Sequence, residues 1–156
     1  MSEDVTFPRY EIGNRDTTKV YFKIQNIGRS VSLIIYECKK KKNSCPHKIT
    51  MPLCEALWFL DFLKSEHIKG SYKNLHPGYK FSLGEKECGE ITVEKRTGIL
   101  HINQYNYYSK KIDFIHLNEN ELENLLAFSN AINDVLKKLS ILYNLDTEDK
   151  HCIISY

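Results

Sequence analysis

Two stretches of the chain set aromatic, cationic and amide side chains at every second position. In the first, Tyr21, Lys23 and Gln25 alternate with Val20, Phe22 and Ile24, and Asn26 and Arg29 follow at the reversal Asn26-Ile27-Gly28-Arg29. In the second, His101, Asn103, Tyr105 and Tyr107 form an alternating row, with Lys95 and Arg96 just ahead of it. The chemistry open to such groups is noncovalent. Cations follow a line of phosphates and aromatic faces stack on bases, at about 1 to 3 kcal/mol per base. The ligand that fits is a polyanion with exposed bases, single-stranded DNA or RNA. The plainer reading makes the tyrosine row an ordinary sheet surface or a dimer contact.

Covalent chemistry finds no footing. No phosphate-binding glycine loop, metalloprotease helix motif or nucleophile elbow occurs, so an enzyme, a cofactor and a small-molecule substrate are not expected. Glu119, Glu121 and Glu123 sit where a helix begins, and capping with the helix dipole explains them without catalysis. Cys38, Cys45, His47 and Cys54 lack the Cys-x-x-Cys spacing of a zinc knuckle, so no metal is expected. The five cysteines form no framework; they read as small hydrophobes or idle thiols, which suits a reducing compartment. Cys152 stands fifth from the end, one place off a prenylation signal.

The positioning elements follow from periodicity. Val20, Phe22 and Ile24 alternate, and β-branched and aromatic residues flank Gly28, so residues 19–36 predict a hairpin with one apolar face and one free face. Tyr10 to Ile12 is a short strand, and Gly13-Asn14-Arg15-Asp16 a turn. The run Lys39 to His47, with four adjacent lysines, is a loop suited to solvent, to a localisation signal or to clamping a phosphate backbone. Lys48 to Met51 is a strand, and Pro52 opens a helix with Leu53, Ala56, Leu57, Phe59, Leu60 and Leu63 on its apolar side. A linker from Lys69 to Gly78 comes next. Further strands fall at Tyr79 to Leu83, Glu90 to Lys95, Ile99 to Tyr105 and Lys111 to Leu117. Asn118 and Glu121 make a capping box for a long helix with Leu122, Leu125, Leu126, Ile132, Val135, Leu136 and Leu139 on one side.

The composition is that of a globular chain, 156 residues with 42% hydrophobic content, sized for one domain. Its net charge of +2 is unevenly spread: residues 1–76 carry +5, 78–143 carry −1 and 144–156 carry −2. A positive first half attracts phosphates whatever the total charge. No apolar run reaches the roughly 18 to 20 residues of a membrane span, and the acidic start lacks a signal peptide's pattern, so an intracellular protein of nucleus or cytoplasm is expected.

Order repeats along the chain. With Met51 set against Leu117, Ala56 falls on Leu122, Phe59 on Leu125, Leu60 on Leu126 and Leu63 on Ser129. Val20-Tyr21-Phe22 falls on Ile91-Thr92-Val93, and the turn at Gly28 near the turn at Gly98. The segments VYFKIQNIGRSVSL and HKITMPLCEALWFLDFLK, with EITVEKRTGILHIN and KKIDFIHLNENELENLLAF as the second copy, resemble PUR repeats, over roughly residues 10–142. The resemblance implies a pair of repeats forming one PUR domain that binds single-stranded, commonly purine-rich, DNA or RNA. It implies contacts by Lys23, Gln25, Asn26 and Arg29 in copy one, and by Lys95, Arg96 and His101 in copy two. The family's aromatic after Gly-Arg is Ser30 here, and the second turn, Gly98-Ile99, has no Arg.

The expectation is therefore an α+β chain of two β-β-β-β-α repeats, about 5–70 and 77–143, with curved antiparallel sheets, helices on one face and an acidic tail from 144. Its partner is a single strand, and it is a monomer or homodimer. The rivals are a Whirly-type binder, which usually assembles as a tetramer, a protein-interaction module using the tyrosine row and the long helix, and an uncharacterised enzyme.

Overall fold

The computed structural model describes residues 9–27, 30–42, 44–69, 78–82, 87–142 and 153–155. Strands β1 (Tyr10–Asn14), β2 (Thr18–Ile27), β3 (Ser30–Lys39) and β4 (His47–Pro52) lead into helix α1 (Leu53–Lys69). Strands β5 (Gly78–Ser82), β6 (Glu87–Arg96), β7 (Ile99–Asn106) and β8 (Ile112–Leu117) then lead into α2 (Glu119–Leu142), and β9 (Ile153–Ser155) closes the order. The class is α+β. The strands form two antiparallel sheets, ordered β1-β2-β3-β4 and β8-β7-β6-β5-β9. Among the described residues no helix is long and apolar enough to cross a membrane.

Alternation decides which face each residue takes. In the first sheet Phe22 lies across from Ile35, and Ile35 from Ile49; Ile24 lies across from Leu33, and Leu33 from Met51. In the second, Val93, Ile102 and Ile115 line up across three strands, with Leu100 beside Leu117. All eleven are buried in one core that also takes side chains from both helices. Helix α1 packs on β3 and β4, α2 on β1, β7 and β8, and the helices touch each other. The four helix pairs aligned above are buried in both helices, Ala56 with Leu122, Phe59 with Leu125, Leu60 with Leu126 and Leu63 with Ser129.

Several boundaries differ from the periodicity reading. Strand β1 runs on to Asn14 through a bulge between Glu11 and Gly13, so the turn is Arg15 to Thr17. The bulge lets Ile12 reach the core, where it is 1% exposed. Pro52 ends β4 instead of opening α1. The turn after β6 is Thr97-Gly98, both at positive φ (51° and 76°), as a two-residue reversal between twisted strands requires. The tail returns to the fold, since β9 pairs with β5. Gly28 and Arg29, the first hairpin's turn, lie outside the described residues, as do the side chains of Ile132, Val135, Leu136 and Leu139.

The capping box forms as read. Glu121 N donates to Asn118 Oδ1 (2.8 Å) and Asn118 N to Glu121 Oε1 (3.0 Å). The same carboxylate does more. Arg15, 106 residues away, donates Nε to Glu121 Oε2 (2.9 Å) and Nη2 to Glu121 Oε1 (2.8 Å), and also reaches Glu37 and the carbonyl of His116. One guanidinium thus ties the β1–β2 turn to β3, β8 and the start of α2.

The two sheets also meet where β4 approaches β7 and β8. Gln104, 8% exposed, donates Nε2 to the Thr50 carbonyl (2.6 Å) and accepts from Thr50 N (3.2 Å). A side chain of β7 therefore satisfies the open backbone edge of β4.

Gly13 owes its identity to Glu121. A Cβ there would overlap Glu121 Oε2 and come within 2.7 Å of Cδ and 2.9 Å of Cγ. The carboxylate is held by three hydrogen bonds and cannot step aside. Gly13→Ala is expected to cost about 1 to 3 kcal/mol, the usual range for forcing extra volume into packed surroundings, read as a lower urea midpoint.

Candidate nucleic-acid interface

The outer face of the first sheet, turned away from the shared core, carries Lys19, Tyr21, Lys23 and Gln25 on β2, Ile34, Tyr36 and Cys38 on β3, and Lys48 on β4. Their register follows from the ladder, with Tyr21 across from Tyr36, Lys23 from Ile34 and Gln25 from Ser32. Tyr21 and Tyr36 stack at 5.4 Å and 29°. Arg9 stands 4.3 Å over the Tyr21 ring and Lys23 Nζ 5.4 Å over Tyr36, both within cation–π range.

Tyr21 is expected from the sequence to project freely, yet it is only 9% exposed, and with Ile34 and Tyr36 it forms a small apolar cluster of its own. The reason is cross-strand pairing: two tyrosines on neighbouring strands bury more surface against each other and their cations than either leaves to solvent. Lys23 and Gln25 are half-buried. Asn26 lies on β2 across from Val31, but its side chain and all of Arg29 fall outside the described residues.

On the second sheet the outer face carries Glu90, Thr92, Glu94 and Arg96 on β6, Ile99, His101, Asn103 and Tyr105 on β7, and Ile112, Phe114 and His116 on β8. His101, Asn103 and Tyr105 thus share a face as read. Tyr107 does not continue the strand, because β7 ends at Asn106, but its ring stays 5.6 Å from Tyr105. Lys95 is a correction. Alternation turns it to the helix side, across from Leu100, where Nζ lies 2.7 Å from Glu119 Oε2. Arg96 keeps the outer face and pairs with Glu94 at 3.3 Å. The row is therefore less cationic than the first sheet, where lysines outnumber the single carboxylate, Glu11, that pairs with Lys19 at 3.1 Å.

Sequence reasoning missed a ladder of rings across the junction of the sheets. His101 and His116 meet at 4.1 Å, His116 and Phe114 at 5.1 Å, and Phe114 and His47 at 4.2 Å. The β7–β8 register sets His101 opposite His116, and the approach of β4 to β8 brings His47 to Phe114. Burial, then the charges of His101, Arg15 and Arg96, lower the His116 pKa below its usual value, against a raising effect of Glu37. The charged imidazole is thus disfavoured in the folded state. His116 costs nothing above the unfolded pKa, and stability drops as pH falls below it and the unfolded chain takes the proton first. Between about pH 7.5 and pH 5.5, the urea midpoint of His116→Asn is expected to fall less than that of the native chain.

The cysteine reading needs a second correction. Cys38 and Cys45 are not idle thiols but a disulfide that closes the lysine loop. Seven residues apart and without a framework, they gave no signal beyond proximity. Among the described residues no three His, Cys, Asp or Glu side chains converge as metal ligands. Comparison with protein-family models and with curated proteins finds no match.

Proposed function

We infer that the protein binds single-stranded DNA or RNA noncovalently through the outer faces of its sheets, and that its two β-β-β-β-α units are PUR-like repeats sharing one core. One observation carries the reading. Both helices pack on inner faces, so the chain leaves Lys23 and Gln25 on one sheet, and Asn103 and Tyr105 on the other, half-buried on the side without a helix. A strand laid there meets cations that follow phosphates, amides that read base edges and rings that stack. The repeat rests on equal burial at four aligned helix positions. Binding of this kind suits transcription, replication or RNA handling inside the cell.

The first sheet is the stronger half of the interface, because cations crowd it and carboxylates crowd the second. In a polarisation titration, Lys23→Ala and Arg29→Ala are each expected to weaken single-strand binding by about fivefold, the order of one solvent-exposed ion pair. Lys138→Ala, an exposed cation on α2, serves as the control. Losses of the same size in all three would remove the assigned face.

A second reading has its own observation. Ile99, Ile112, Phe114 and Tyr108 are exposed by 38%, 62%, 37% and 70%. An apolar group of that kind on and beside the second sheet suits contact with a protein, a second copy included.

A further inference from the structure

A cleft of about 580 Å³ opens beside the Tyr21–Tyr36 pair, lined by Arg9, Lys19, Lys39 and Lys40 together with Cys38 and Cys45. Its size falls in the range of about 300 to 1,000 Å³ typical of small-ligand sites. Its chemistry is one-sided: among the described residues four cations and two phenol rings line it and no carboxylate does. Glu11 pairs with Lys19 at the rim, which still leaves the surroundings net positive. The smaller cleft on the other side of the lysine loop differs, because Asp16 joins its lining.

The backbone that carries the lysines is held in place. Lys39 N donates to the Ser44 carbonyl (2.8 Å), Lys40 N donates to the Thr17 carbonyl (3.0 Å), and Cys38 is bonded to Cys45. Two of these ties close the four-lysine loop on itself and the third holds it to the β1–β2 turn at Thr17. Cations gathered this way repel one another, and only an anion relieves them. A loop whose backbone is already fixed binds an anion with less entropy lost than a free loop would. Tyr21 and Tyr36, only 9% and 8% exposed, leave a small ring surface to the cleft beside Arg9, against which a flat group, unlike inorganic phosphate, can lie.

We propose that this disulfide-closed cleft is a site for one phosphate-bearing nucleotide, its phosphate on Lys19, Lys39 and Lys40 and its base against the Arg9–Tyr21–Tyr36 stack. The site deepens the single-strand reading, on which it rests, by naming the pocket that captures one unit of the strand. It also gives the lysine loop a use beyond solubility.

The test uses the full chain and adenosine monophosphate as probe, by isothermal titration at low salt, with inorganic phosphate and adenosine titrated separately. Saturable binding of the nucleotide is expected, tighter than either part alone. Lys39→Ala/Lys40→Ala, both exposed and outside the core, is expected to weaken it about tenfold, the order of two exposed ion pairs lost. No binding of the nucleotide, binding no tighter than inorganic phosphate, or an unchanged affinity in the double variant each overturns the site. A labelled single strand titrated in parallel separates the two claims. Strand binding that is indifferent to Lys39 and Lys40 removes the cleft and leaves the sheet-face reading. Nucleotide binding without strand binding supports the cleft and removes that reading.

Discussion

Arg15→Met is expected to lower the unfolding free energy by about 3 to 5 kcal/mol, the cost of leaving a buried charge without its partner. Glu121 is 2% exposed, and its side chain has no other cation among the ion pairs of the described residues. Its hydrogen bond to Arg15 is the main reason that the guanidinium pKa is raised above its ordinary value, with burial opposing it. Once Arg15 is gone, Glu121 keeps the capping bonds to Asn118 but loses both bonds from the guanidinium, and Glu37, at 17% side-chain exposure, loses its partner as well. The readout is a denaturant curve. Glu121→Gln combined with Arg15→Met is expected to cost less than Arg15→Met alone, because a neutral amide does not require the cation. A loss below about 1 kcal/mol would mean that the pair acts as a surface ion pair does.

The second large effect concerns salt. A strand engaged through about four phosphates releases counterions with a slope near 0.7 per phosphate, so a tenfold rise in salt is expected to weaken binding by roughly three orders of magnitude. Each of Lys23, Lys39 and Lys40 that truly meets a phosphate should reduce that slope by about 0.7 when changed to Ala, whereas Lys138 should leave it alone. Affinity that stays flat with salt would leave the +5 charge of residues 1–76 without a role in binding.

Elements set by local pattern were legible in the sequence. The alternation of Val20, Phe22 and Ile24 gave the inner face of β2, and Asn118 with Glu121 gave the start of α2 down to its two reciprocal hydrogen bonds. The helix alignment placed buried residues on buried residues. What stayed hidden depends on contacts between distant segments. Arg15 looked like a turn residue because its partners Glu37, His116 and Glu121 are brought to it only by the tertiary fold. Lys95 looked like a binding residue because its strand parity was not fixed until the Leu100 pairing was known. Arg9 and Tyr36 entered the candidate site only through contact with Tyr21. Gln104, in the middle of an apolar strand face, carried no mark of the β4 backbone edge that it satisfies.

The most direct measurement is a polarisation titration of a short labelled single strand at low salt, with the unlabelled strand and its duplex as competitors. Bases must be exposed to meet the tyrosine, histidine and amide side chains of the two outer faces. Saturable binding that the single strand reverses, and the duplex reverses poorly, is the expected result. Equal competition by the duplex, or no binding of the labelled strand, would contradict it.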